Sequence, residues 1–372
     1  MDKKAEEISR LRRESLSKLL ALIRLALIRL ALRGGGDVPA CLEHLDTDAW
    51  RAIFQMSAEQ GVSGVALEGV QRLPAEMRPE RRLFIQWGLT MKTREQTYAK
   101  QLAAACRLAD ALHAEGIDTM VLKGIGLAQY YPVAEHRECN DIDLYLYGEH
   151  ERGNAVAARL GGQVSGFSSK HDHILFDGFN IDNHITFLPV NSPKKRALNM
   201  ALLGLLEGRE RRCIEGTWLI MPPRDFNYVF LLRHAYGHFL IEGIALRHLL
   251  DFACFLHEEA EHIDWPVVDG VLKASGLKKF SQVVLRLTDH YFGLSVSDGQ
   301  PLSPDLLRHI EEDMLLEDHR VVYDKTFMQR VRVTLKNRWK YAAFQKGGLA
   351  AHLWERFVKR RLGRSWRQDD AS

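Results

Sequence analysis

Two aspartates one residue apart, in Asn140-Asp141-Ile142-Asp143-Leu144, have the types and spacing to do chemistry. The run Asp141-Ile-Asp-Leu-Tyr-Leu-Tyr147 alternates polar and apolar residues, which predicts a strand. Ile142, Leu144 and Leu146 would take one face, and Asp141, Asp143 and Tyr145 the other. Two carboxylates at i and i+2 of a strand fall within reach of one hard cation. Magnesium takes oxygen ligands and is usually held by one or two carboxylates together with substrate phosphates. Asp182 has the polar parity of a later strand and would bring a third carboxylate to the pair. Three carboxylates suit a two-metal site, with ions about 3.5–4 Å apart clamping an in-line displacement. Without a cation the three would repel one another and one would take up a proton. The alternative for the pair alone is a surface strand with solvated aspartates.

A second group surrounds Leu122-Lys123-Gly124-Ile125-Gly126. The apolar run Ile117 to Leu122 predicts a strand entering a glycine turn. Gly124 and Gly126 would let the backbone approach a phosphate, and Lys123 would add a point charge for it. The spacing fits neither G-x-x-x-x-G-K-[ST] nor G-x-G-x-x-G, which excludes P-loop and Rossmann readings. A strand-to-helix turn without a ligand is the other reading. His184 shares the polar face of Asp182, and His171 and His173 stand nearby. His234 and His238 are four apart on a predicted helix but lack the glutamate of H-E-x-x-H, which argues against a zinc protease. Arg247 and Asp251, also four apart, are expected to form a structural pair.

These residues need elements to position them. Residues 8–33 read as one helix carrying the repeat Ala21-Leu-Ile-Arg-Leu, Ala26-Leu-Ile-Arg-Leu, with a stop at Gly34-Gly35-Gly36. A long helix is predicted from Arg81 to Gly116, and a short one from Leu127 to Tyr131 before Pro132. A hairpin is predicted to turn at Asp177-Gly178. Its second arm would put Phe179, Ile181, Asn183, Ile185 and Phe187 on one face, and Asn180, Asp182, His184 and Thr186 on the other. From about residue 197 the pattern is helical. The expected fold class is α+β: a small mixed sheet wrapped by N- and C-terminal helical parts. The expected segments are 1–116 (helical), 117–195 (α/β core), 196–325 (helical) and 326–372 (basic helical tail).

The order strand, Lys123-Gly124 turn, Tyr130-Tyr131-Pro132, Arg137, Asp141-Ile-Asp143-Leu, then Asp182-Asn-His184, resembles a family of uncharacterised bacterial nucleotidyltransferases with the polymerase-β-type fold. The spaced His234 and His238 and the stretch Arg247-His-Leu-Leu-Asp251 extend the resemblance over roughly residues 15–260. It implies transfer of a nucleoside monophosphate from a nucleoside triphosphate such as ATP to an acceptor hydroxyl, releasing pyrophosphate. Asp141, Asp143 and Asp182 would hold two magnesium ions, with manganese as the substitute, and Asp182 would accept the acceptor's proton. Lys123, Gly124, Gly126, Arg137 and His184 would meet the nucleotide and its phosphates. The acceptor is open among a small molecule, a sugar, a peptide, a protein and an RNA end. The alternative function is an inactive nucleotide- or partner-binding protein that keeps the fold.

Composition sets outer bounds. Apolar residues make up 46% and charged residues 27% of the chain, a globular balance that excludes disorder. Five scattered cysteines without a CxxC pair exclude a cysteine-built zinc site and a disulfide framework. With no apolar leader and no uncharged run long enough to span a bilayer, the expected location is the cytoplasm. Residues 326–368 carry twelve basic residues against one acid, Glu355, in a chain of net charge +3, so the body is acidic. Tryptophan and phenylalanine interleave these cations. Docking on the acidic body is the preferred role for this tail, with nucleic acid and an anionic membrane surface as alternatives.

Overall fold

The alternating Asp141–Tyr147 segment forms the middle of a seven-stranded mixed sheet. The computed structural model describes residues 3–27, 39–166, 170–208, 211–241, 243–315, 334–335 and 337–344. The strands are β1 (Thr119–Leu122), β2 (Ile142–Tyr145), β3 (Gln163–Ser165), β4 (His171–Phe176), β5 (Phe179–His184), β6 (Arg212–Cys213) and β7 (Leu219–Met221). Their order is β3-β4-β5-β2-β1-β7-β6. The pairs β2/β5 and β1/β7 are parallel; the others are antiparallel. This is the α+β class that the pattern of elements predicts.

The hairpin turns at the expected place. Asp177 and Gly178 both have positive φ, 52° and 82°, the backbone of a two-residue hairpin loop that matches strand twist. The turn fixes the register His173↔Asp182 and His171↔His184. Side-chain parity then puts Asp143, Asp182, His171, His173 and His184 on one face of the sheet. Ile142, Leu144, Ile174 and Ile181 go to the other face and are all buried. Asn183 shares that second face and donates to Asn154 Oδ1 and the His150 carbonyl.

Helices cover both faces. They are α1 (Lys3–Leu27), α2 (Thr47–Glu59), α3 (Ser63–Arg72), α4 (Arg81–Ala114), α5 (Gly124–Ala128), α6 (His150–Arg159), α7 (Pro193–Gly204), α8 (Arg224–Ile241), α9 (Leu246–Glu259), α10 (Trp265–Ser275), α11 (Lys278–Phe292) and α12 (Pro304–Met314), followed by a short helix, Arg338–Phe344. On the carboxylate side, Phe187 packs edge-on against Phe226 and Phe230 of α8 and at a tilt against Tyr145 of β2. Aromatic pairs of this kind add roughly 0.5–1.5 kcal/mol each beyond the area they bury.

Three expectations change. The helix after the glycine turn is earlier: α5 begins at Gly124 itself, where Leu127 N–H bonds the Lys123 carbonyl at 2.7 Å, and it ends at Ala128. The stretch after residue 197 is not all helix, because β6 and β7 extend the sheet beside β1. Two- and three-residue strands carry no readable period; pairing with β1 makes them strands. Asp251 does not pair with Arg247, as described below. Residues 28–33, the Gly34-Gly35-Gly36 stop and most of the basic tail lie outside the described residues.

The described part of the tail packs on the body. Lys340 is fully buried; its ammonium meets Asp313 at 2.5 Å and donates to the Phe239 carbonyl at 2.8 Å. Tyr341 donates to the Leu240 carbonyl. Among the described residues no helix is long and apolar enough to cross a membrane.

One buried cluster outside the sheet makes stability pH-dependent. The His136 ring lies between Glu68 (2.7 Å) and Glu95 (3.1 Å). Burial disfavours its charge, but hydrogen bonds to the two glutamates outweigh this and raise its pKa. The folded state therefore holds the proton more tightly than the unfolded one. The contribution is complete below the unfolded value of about 6.5 and is lost as pH rises through the raised folded value. Melting curves of the wild type and His136→Gln should differ most near pH 6 and converge above neutrality. An equal difference across that range would rule out the linkage.

Candidate active site

Three carboxylates meet on the face set by the hairpin. Asp143 and Asp182 are direct neighbours across the parallel β2/β5 ladder, and Asp141 stands just before β2. Their oxygens lie within 4.8 Å of one another. Asp143 is 2% exposed, whereas Asp141 is exposed at the mouth of the cleft. Asp143 is therefore not a solvated strand residue, whereas Asp141, just before the strand, is exposed.

The buried aspartate is held by two donors. Lys123 Nζ lies 2.8 Å and His184 Nε2 2.9 Å from the same oxygen, Asp143 Oδ1. Oδ2 receives no side-chain hydrogen bond among the described residues. Burial pushes the Asp143 carboxyl up, but the Lys123 charge and the His184 bond override it and hold it well below the usual carboxylate range. Asp141 goes the other way. Desolvation in the cleft, then the charges of Asp143 and Asp182, push its carboxyl up against the pull of Lys123. Asp182 is flanked by imidazoles, with His173 Nδ1 at 2.8 Å from Oδ1 and His171 Nδ1 at 3.4 Å from Oδ2. Burial, the largest cause, brings His171 down to about 4 despite Asp182.

Lys123 reaches Asp143 from an unusual backbone. Its φ of 47° and ψ of −133° belong to a region that is essentially glycine's, and such residues cost of order 1–3 kcal/mol. A lysine kept there, where glycine would be easier, fits a site that needs its ammonium. The two glycines after it answer to packing. A Cβ on Gly126 would lie 2.9 Å from the Val121 carbonyl, and one on Gly124 would lie 3.3 Å from the Asp141 carbonyl. Both glycines are buried. A close approach of α5 to β1 thus already requires a glycine at 126.

Arg137 is also placed differently from the expectation. It is buried in a two-pronged pair with Asp251 of α9, Nε–Oδ1 2.9 Å and Nη2–Oδ2 3.0 Å, with Tyr131 donating to Oδ1 at 2.8 Å. A guanidinium with both prongs on a carboxylate has few donors left for a phosphate. Arg247 packs instead over Gly61 and reaches the Glu138 carbonyl.

Lys123, Arg137, His234, Arg247 and His248 line one cavity of about 30 Å³ beside the carboxylates, with α8 and α9 as its far wall. That is room for about two waters. Burial, then Lys123 and the neighbouring imidazoles, hold His234 well below its usual pKa. His234 and His238 are hydrogen-bonded through their Nε2 atoms at 3.2 Å, so one accepts from the other. Lys170 is the site residue that the sequence did not reveal. Burial and Lys123 lower its pKa, and the charges of all three aspartates act on it in the opposite sense. Its signal was slight: a lysine just before His171-Asp-His173, on an arm whose start the alternation left undefined.

A mixed sheet carrying an aspartate pair beside a third acid, entered by a lysine turn, defines a nucleotidyltransferase-type fold. The chain matches the family described as "Uncharacterised nucleotidyltransferase" over residues 46–293, two thirds of its length, and it belongs to that family. No curated protein and no solved structure matches it.

Proposed function

We propose that this chain transfers a nucleoside monophosphate from a nucleoside triphosphate to an acceptor hydroxyl and releases pyrophosphate. The observation that carries this reading is the convergence of Asp141, Asp143 and Asp182 on one face, with Lys123 anchored among them. The donor set fits hard divalent cations such as magnesium or manganese, which are held through carboxylate oxygens. Asp141, Asp143 through Oδ2, and Asp182 would hold them; such ions supply charge neutralisation at the reacting phosphate.

The chain's own groups have distinct parts. Lys123 and His184 keep Asp143 ionised and oriented through Oδ1. Lys123 places its ammonium beside the carboxylates, and Lys170 feels the charge of all three, where the negative charge of a triphosphate would accumulate. Positioning and charge stabilisation are most of what phosphoryl transfer asks of a protein. Asp182, oriented by His171 and His173, is suited to accept the acceptor's proton.

The test is a screen of the four nucleoside triphosphates with magnesium or manganese. It is read by pyrophosphate release and by mass shifts of candidate acceptors and of the protein itself. Release that disappears in Asp141→Asn supports the proposal. Nucleotide binding without pyrophosphate release under every condition would favour a binding protein that keeps the fold.

A further inference from the structure

We propose that His171, Asp182 and His184 form a separate position for a borderline transition metal of the zinc, cobalt or nickel kind. It lies beside the oxygen-only position of Asp141 and Asp143 and shares Asp182 with it. This inference concerns metal binding alone and stands whether or not nucleotidyl transfer is found.

One ligand atom from each of the three residues lies within 4.8 Å of the others. His171 Nδ1 and Asp182 Oδ2 are 3.4 Å apart. Two ligands about 2.1 Å from a tetrahedral ion are separated by about 3.4 Å, so this pair needs no rearrangement to hold one. His184 would contribute Nε2 by exchanging its 2.9 Å contact with Asp143 Oδ1 for the ion, which leaves Lys123 on that oxygen, while its Nδ1 lies 3.3 Å from the Thr186 carbonyl. A ligating histidine commonly gives its other ring N–H to a backbone carbonyl, which fixes the ring and its tautomer. His173 serves the carboxylate in the same way, meeting Asp182 Oδ1 at 2.8 Å and leaving Oδ2 for the ion.

The register makes this arrangement a product of the fold. His171 is opposite His184, and His173 is opposite Asp182, across β4/β5. All four therefore share the face that carries Asp143. Two imidazoles and one carboxylate leave room for a further ligand, the donor set of open zinc sites. Imidazole favours zinc, copper, iron and nickel, whereas carboxylates and water favour magnesium, calcium and manganese. The two positions thus differ in the ion they prefer.

The experiment titrates the metal-free full chain with Co²⁺, whose visible d–d bands report nitrogen ligands and coordination number. Mg²⁺ binding is measured separately by calorimetry. Wild-type protein should bind Co²⁺ more tightly than Mg²⁺ and show the intense bands of four- or five-coordinate cobalt. His171→Gln should weaken Co²⁺ about tenfold or more and weaken Mg²⁺ far less, since it removes a Co²⁺ ligand but only a neighbour of the shared Asp182. Asp141→Asn should weaken Mg²⁺ and keep the cobalt bands. His173→Gln, at a half-exposed side chain, should give a smaller loss of Co²⁺ affinity. Melting in chelator confirms that each variant is folded. Unchanged Co²⁺ affinity in His171→Gln, or only the weak bands of six-coordinate cobalt in the wild type, would overturn the proposal.

Discussion

Asp143→Asn is expected to destroy both activity and stability, while Asp141→Asn destroys activity alone. Both remove a carboxylate from the proposed cation site. Several kcal/mol of lost charge stabilisation, at about 1.36 kcal/mol per tenfold, corresponds to a rate loss of about a thousandfold or more. Their effects on folding differ because their surroundings differ. Asp143 is buried under Lys123 and His184, so an amide there leaves a buried ammonium without its counter-charge. Breaking a buried pair from one side costs about 3–5 kcal/mol. Asp141 is exposed at the mouth, and its charge is opposed by Asp143 and Asp182. Its amide should leave the melting temperature in chelator unchanged or slightly raised. Denaturant midpoints of the two variants, beside pyrophosphate release, make the comparison. Equal midpoints would mean that the Lys123–Asp143 contact contributes nothing to the fold.

Arg137→Ala should lower the unfolding free energy by about 3–5 kcal/mol, because it leaves Asp251 charged and buried. Arg137 is 7% exposed. Burial weighs against its charge, but Asp251 outweighs it and raises the guanidinium pKa further, so Arg137 is charged at any working pH. The pair ties the segment before β2 to α9, 114 residues later. The double change Arg137→Met with Asp251→Leu should recover most of the loss, since apolar replacement of a buried ion pair is often neutral or better. Urea titrations of the wild type, both single variants and the double variant close the cycle. If Arg137→Ala instead kept its stability and lost only nucleotide affinity, Arg137 would be a phosphate ligand and its pairing with Asp251 incidental.

What the sequence determined by itself is local and periodic. Alternation at Asp141–Tyr147 identified β2 and its two faces. The Asp177-Gly178 dipeptide identified the hairpin, and with it the parity that places Asp182 and His184 together. These survive because a strand's period of two leaves no freedom: a one-residue slip would bury the acid and expose Ile181. The lysine turn before α5 was legible too, as an apolar run cut short by glycine.

The tertiary structure decided everything that needed a distant partner. Nothing near Asp143 in the chain announces that Lys123 and His184 will close over it and bury it. Nothing near Arg137 announces Asp251, and the pairing expected within α9, Arg247 with Asp251, lost to it. A guanidinium meeting a carboxylate with both prongs in a dry interior binds better than a helix-surface pair in water. The same holds for β6 and β7, too short to carry a period and made strands only by the edge of β1. Local rules know which face a residue must take; which residue waits across that face depends on contacts that only the folded chain makes.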